Sequence, residues 1–214
     1  MNLSVRQLIP IPLKEKILAK KSGIWNETLT FNKGEHIFVR APSGTGKTTL
    51  VHILYHLRKD HEGSVQWGDI NMSAIGPEEL AALRSNNISI IFQDMRLFPE
   101  LTAWENLDIK RRLSNTVSPE QVEEWMTRLG IQDKKNSLGR TLSYGEQQRV
   151  AIIRALLQPF DWLLMDEPFS HLDHSNTEKA RKLIEEIVAQ HGAGMILADL
   201  DENEYFKYTK TIVL

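Results

Sequence analysis

The sequence predicts an α/β fold, a sheet of short buried strands interrupted by a helical lobe. Three observations carry that expectation. Apolar strand-like runs alternate with helical patterns along the chain. The glycine-rich turn APSGTGKTT, residues 41 to 49, joins a buried strand to a helix. Between about residues 95 and 160 the strand signal fades and helix-start signals replace it.

HIFV (36–39) reads as a strand running into the glycine-rich turn, and TTLVHILYHL after it carries a helical pattern. GSVQW is strand-like, and its Trp67 is expected to pack rather than bind. ISIIF (88–92), DWLLMD (161–166), MILA (195–198) and TIVL (211–214) are further strands. In the lobe, SPEQVEEWMTRLG offers Ser118 as an N-cap, Pro119 at the first helical position, Gln121 as capping-box partner and Gly130 near the end. LSYGEQQRVAIIRALL begins another helix on the capping residue Ser143. No internal repeat, low-complexity tract or flexible linker interrupts the pattern.

The chain has 214 residues, 41% hydrophobic and 25% charged, with a formal net charge of −2. That length fits one large domain, or a domain carrying an inserted lobe, with a substantial core. Near-neutrality provides no electrostatic footprint for nucleic acid. There is no cysteine, which excludes a disulfide framework and any thiolate metal site. MNLSVRQLIPIPLKEK lacks the basic start and apolar run of a signal peptide, and no window is apolar enough to span a membrane. The expectation is a protein inside the cell whose membrane attachment, if any, comes through a partner.

The turn at 41–49 fits the phosphate-cradling pattern G-x-x-x-x-G-K-[ST], in which small residues let successive backbone N–H groups turn toward phosphate oxygens. Ala41, Pro42, Ser43, Gly44, Thr45, Gly46, Lys47, Thr48 and Thr49 are the candidate phosphate-binding residues. Lys47 would reach the β- and γ-phosphates and Thr48 would ligate Mg²⁺, while the following helix aims its N-terminus at the same charge. The first position holds Ala41 instead of glycine; if it required a left-handed φ, alanine would cost about 1 kcal/mol. DWLLMDEP ends a strand on two carboxylates. In P-loop enzymes an aspartate on the strand beside the loop helps hold Mg²⁺, the role assigned to Asp166. Glu167 is the candidate general base toward an attacking water.

Downstream, LSYGEQQRVAIIRAL (142–156) resembles the signature segment of the ATP-binding cassette (ABC) ATPases, IFQDMRLFPELTAWENL (91–107) resembles their Q-loop, with Gln93 as the glutamine, and SHLD (170–173) resembles their D-loop. Order and spacing agree along nearly the whole chain. The nearest types are the small cassettes of lipoprotein-release, macrolide-efflux and cell-division complexes. The resemblance implies a P-loop NTPase (RecA-like) core sheet, a small antiparallel β subdomain and an inserted helical subdomain at about 95–160. Together these would form one nucleotide-binding domain over residues 1–214. It also implies two cassettes, identical or different, closing head to tail over two ATP molecules. Ser143, Tyr144, Gly145 and Glu146 of one would face the phosphate loop of the other, with Asp173 at the seam. Gln93 would contact Mg²⁺ or the lytic water. Leu97, Phe98, Leu101 and Trp104 would either form a groove for a helix of a membrane permease subunit or fill the lobe core. The implied location is the cytoplasmic face of the inner membrane, peripheral, through that permease.

Besides Ala41, three departures from the family pattern stand out. Tyr144 replaces the first signature glycine and puts a ring where the partner's ATP approaches, although Gly145 survives. No Phe, Tyr or Trp precedes Trp25, so the aromatic that stacks adenine in relatives is missing; such stacking is worth about 1–3 kcal/mol per base. Finally, aligning Asp201 with the family's strand-end aspartate places Leu200 where a γ-phosphate-binding histidine is expected. His191, which opens the HGAG turn, lies on the wrong side of the strand and reads as a solvated turn residue. Asp199 and Asp201 repel a phosphate and cannot substitute.

The expectation is therefore a cassette that binds Mg-ATP and hydrolyses it slowly with Glu167. A second reading is a nucleotide-gated regulatory module with little turnover. A chromosome-maintenance ATPase would need a long coiled coil between Gln93 and Ser143, and no sustained heptad pattern occurs there. With TIVL closing the sequence, no C-terminal regulatory domain is expected.

Overall fold

The strands that read as apolar runs form one parallel sheet, buried on both faces, in the computed structural model, which describes residues 1–19, 22–42, 44–200 and 203–214. The elements in chain order are β1 (Leu3–Pro10), α1 (Lys14–Leu18), β2 (Thr28–Phe31), β3 (His36–Arg40), α2 (Lys47–Leu54), β4 (His61–Trp67), β5 (Ile70–Asn71), α3 (Pro77–Asn86) and β6 (Ile88–Ile91). They continue with α4 (Ala103–Ser114), α5 (Pro119–Arg128), α6 (Tyr144–Leu156), β7 (Trp162–Asp166), α7 (His174–His191), β8 (Gly194–Asp199) and β9 (Lys210–Val213). The parallel sheet has the order β6-β7-β8-β3-β9, and a second, antiparallel sheet has the order β2-β1-β4-β5.

Side chains alternate across a strand, so continuous apolar runs supply two cores. From the parallel strands, Ile37, Val39, Leu164 and Ile196 face one cluster with α2 and the antiparallel sheet. Phe38, Leu163, Met165 and Leu197 face the other, with α6, α7 and the lobe residues Val122, Trp125 and Met126. The lobe thus shares a core with the sheet, because α6 covers the sheet while also packing on α4 and α5. Trp67 is fully buried, donates its indole N–H to the Leu54 carbonyl at 3.0 Å and tilts against Trp162.

The Ser118 hydroxyl accepts from the Gln121 backbone N–H at 3.3 Å with Pro119 in the first turn, but the expected capping box is not made. The Gln121 amide bonds Glu124 instead, at 2.6 Å, a partner one turn further along that carries a full charge. His191 is not a solvated turn residue. It is the last residue of α7, half-buried edge-on against Phe160 at 4.6 Å, and burial lowers its pKa. Gly192 follows it in the left-handed conformation that ends the helix.

Candidate active site

Parallel topology brings the C-terminal ends of β3, β7 and β8 side by side, since Arg40 registers with Asp199 and Asp166 with Ala198. The turn after β3 then bends on Gly44 (φ 77°) and Gly46 (φ 106°), conformations open to glycine. A Cβ on Gly46 would also lie 2.8 Å from Leu13 and 3.2 Å from the Trp25 ring. Trp25 is buried and donates its indole N–H to the Thr45 carbonyl at 3.3 Å, while the Thr45 hydroxyl donates to the exposed Pro42 carbonyl at 2.7 Å. Lys47, Thr48 and Thr49 form the first turn of α2, whose backbone N–H groups have no partner within the helix. Ser43 lies outside the described residues. Ala41 does not take a left-handed φ, so the expected penalty there is absent; its N–H donates to the Asp199 carbonyl at 2.9 Å.

Five of the expected residues meet at this edge. The Lys47 ammonium donates to the Ala41 carbonyl at 2.9 Å and lies 3.3 Å from the Glu167 carboxylate. Gln93 donates through Nε2 to the other Glu167 oxygen at 3.1 Å and accepts from the Thr48 hydroxyl at 3.5 Å. Glu167 holds a left-handed φ of 46°, which turns its side chain out of the strand line at a backbone cost of order 1–3 kcal/mol. Beyond Gln93, Met95 and Arg96 are also left-handed, and the Arg154 guanidinium clamps both of their carbonyls.

Asp166 is almost fully buried, and neither of its oxygens has a hydrogen-bond donor. Burial pushes its pKa from 3.8 up to about 6; the nearby Thr48 hydroxyl, which is directed to Gln93 and makes no full hydrogen bond to Asp166, opposes the shift, the Glu167 charge adds to it and the Lys47 charge opposes it. A buried, orphaned carboxylate beside a threonine hydroxyl and a glutamine amide oxygen is the hard oxygen donor set that suits Mg²⁺. Among the described residues no cluster of three or more His, Asp or Glu could hold a metal by itself.

The signature residues lie elsewhere on the surface, at the start of α6. Ser143 accepts from the Glu146 N–H at 3.3 Å, and Glu146 accepts from the Ser143 N–H at 2.8 Å, a complete capping box. Glu146 also pairs with Lys134 at 3.4 Å. A Cβ on Gly145 would sit 2.9 Å from the His171 carbonyl, so glycine is required here by a neighbour within the chain. Tyr144 is 67% exposed and stacks on His171. Asp173 caps α7, accepting from the Asn176 N–H at 2.8 Å, and that bond holds its carboxyl below the usual range.

Gln148, which the sequence analysis did not single out, joins the two regions. Fully buried, it donates to the Glu167 carbonyl at 3.2 Å and accepts from the His171 N–H at 2.9 Å. A glutamine in a polar helical stretch carries no local signal of such a role. Leu200 follows the end of β8, 39% exposed, its N–H donating to the Asp199 carboxylate at 2.7 Å. Asp201 and Glu202, from the same stretch, lie outside the described residues. Of the apolar residues after Gln93, Leu97 and Trp104 pack on the core, Leu101 is half-buried and Phe98 is 54% exposed. Phe98 lines an open groove with Tyr55, Phe92, Ile109 and Leu113.

The family model described as ABC transporter matches residues 25–170. A lipoprotein-releasing system ATP-binding protein of Bacteroides thetaiotaomicron is 36% identical over 177 residues, 81% of this chain and 81% of that protein. A macrolide export ATP-binding/permease protein of Rhodopseudomonas palustris is 34% identical over 189 residues, 87% of this chain and 29% of that protein. An uncharacterized ABC transporter ATP-binding protein of Mycobacterium tuberculosis is 33% identical over 174 residues, 76% of this chain and 53% of that protein, so the chain spans about half its length. A bacterial ABC transporter cassette solved as a dimer superposes with a TM-score of 0.77 at 26% identity, covering 93% of this chain and 88% of that one. A post-hydrolysis dimer bound to ADP and phosphate superposes with a TM-score of 0.75, again at 26% identity, covering 93% and 88%.

Proposed function

The chain belongs to the ABC transporter family, and from that premise we propose that it is the ATP-binding and slowly ATP-hydrolysing subunit of a membrane transport complex. The observation that carries this reading is the convergence of Lys47, Thr48, Gln93, Asp166 and Glu167 on one sheet edge. The loop from Ala41 to Thr49 wraps the phosphates, Lys47 neutralises the β- and γ-oxygens, and Thr48, Gln93 and Asp166 hold Mg²⁺. Mg²⁺ in that position supplies charge neutralisation on the transferred phosphate. Glu167, oriented by Gln93, takes the proton of the attacking water. Ser143, Tyr144, Gly145 and Glu146 of a second cassette close the site, with Asp173 at the seam, and the cap leaves the Ser143 hydroxyl proton free to donate.

Attachment to the membrane follows from a permease subunit, which places the cassette on the cytoplasmic face. Among the described residues no helix is long and apolar enough to cross a membrane. The groove beside the exposed Phe98, Ile109 and Leu113 suits an apolar helix of such a subunit. The residues from about 95 to 160 act as the helical subdomain within one nucleotide-binding domain, carrying that groove and the signature.

Leu200 favours a slow chemical step, because leucine offers no donor to the γ-phosphate and one lost donor costs about 10²–10³ in rate. The same residue favours a second reading, a nucleotide-gated module with little turnover. ATPase assays of the cassette assembled with a membrane permease subunit distinguish them. Stimulation by permease and cargo supports transport. ATP-driven pairing with negligible steady-state hydrolysis supports the switch.

A further inference from the structure

Tyr144 opens α6 and His171 lies in the turn before α7, yet their rings stack with centroids 5.3 Å apart and 23° between planes. Both residues are exposed, so the contact is surface organisation and not core packing. The imidazole is also set chemically. Gln148 has a fixed amide orientation, because its oxygen accepts from the His171 N–H at 2.9 Å and its nitrogen donates to the Glu167 carbonyl at 3.2 Å. The same nitrogen approaches the Ser170 hydroxyl at 3.4 Å, and that hydroxyl lies 3.0 Å from His171 Nδ1. The Ser170 hydroxyl, which accepts from the amide, can in turn donate to Nδ1, and with that bond the ring carries its hydrogen on Nε2. No described residue bonds Nε2. The ring plane set by Tyr144 and the Nδ1 contact with Ser170 leave Nε2 as the open edge of the imidazole, at the surface formed by the residues of the signature and the SHLD turn.

We infer that His171, seated on Tyr144, donates Nε2–H to a γ-phosphate oxygen of the ATP held by the opposing cassette, supplying in trans the donor that Leu200 lacks in cis. The inference rests on the head-to-tail ATP dimer proposed above. It explains why a bulky Tyr144 is compatible with a working seam: its ring lies over His171. It also makes Gln148 a positioning residue, since one amide holds both the His171 backbone and the carbonyl of the chain's own Glu167. Residual turnover then depends on a residue contributed by the other copy.

The test is single-turnover Mg-ATP hydrolysis alongside light scattering on the Glu167→Gln protein. The expected result is that His171→Ala slows hydrolysis about tenfold, part of the roughly 10²–10³ that a full donor in cis supplies, and that adding Leu200→His to it brings the rate back to the parent's or above, which repair of a merely structural defect would not do. Mixing His171→Ala with Lys47→Ala protein should give more activity than either preparation alone. In the mixed dimer one site pairs an intact phosphate loop with an intact His171. An unchanged rate in His171→Ala, no recovery on mixing, or a parent that pairs on ATP without any turnover overturns the inference. Failure of Glu167→Gln protein, with His171 intact, to dimerise on Mg-ATP overturns the cassette dimer itself.

Discussion

The Lys47 ammonium lies 3.3 Å from the Glu167 carboxylate, in a pair almost closed to solvent. If Lys47 meets the phosphates as proposed, nucleotide binding exchanges the Glu167 carboxylate for phosphate oxygens. Glu167→Gln removes the competing charge and the proton acceptor together. Equilibrium binding should show ATP affinity raised several-fold, and single-turnover hydrolysis should fall about 10²–10⁴-fold. Unchanged turnover would mean that Glu167 is not the base.

Asp166 couples stability to pH. Its folded pKa of about 6 stands above the ordinary 3.8, so between those values the folded chain keeps a proton that the unfolded chain has lost. The stabilisation is full below about pH 4 and is lost as pH rises through 6, on the order of 3 kcal/mol for the metal-free protein. Thermal melts without metal should show Asp166→Asn more stable than the parent at pH 8 and close to it at pH 4. A variant less stable than the parent at pH 8 would contradict the buried, unpaired charge.

Gly145→Ala sets helix propensity against a clash. Alanine in a helix gains roughly 0.5–1 kcal/mol over glycine, but its Cβ would stand 2.9 Å from the His171 carbonyl, a backbone atom that cannot swing aside. Overpacking of that kind costs about 1–3 kcal/mol. The variant should melt a few degrees lower and pair less tightly on ATP. A higher melting temperature would show that the turn at 170–173 yields freely.

Phe98 tests the groove. Phe98→Asp puts a charge on an exposed apolar wall without opening a cavity, so the isolated chain should keep its melting temperature within about 0.5 kcal/mol of stability. Permease-stimulated ATPase activity should drop while basal activity holds. Full stimulation would move the docking surface elsewhere.

Much of the fold was legible because its physics is local. β3, β7 and β8 are apolar on both faces and read as unbroken runs, and the glycines at 44 and 46 mark the turn that needs them. β1 was not located, since Gln7 takes a φ of 47° and the pairing register with β4 shifts between Arg6 and Ile9, which destroys the alternation. At the site, Lys47, Thr48, Asp166 and Glu167 were readable from spacing. Gln148 and the Tyr144–His171 stack were not, because each depends on segments that only folding brings together.

Single-turnover hydrolysis of Mg-ATP by the wild type and by Leu200→His, side by side, tests the central claim most directly. A slow wild type is expected, with an acceleration of at least about tenfold when an imidazole stands at position 200, against about 10²–10³ for a full donor. A fast wild type, or equal rates in the two proteins, would contradict it.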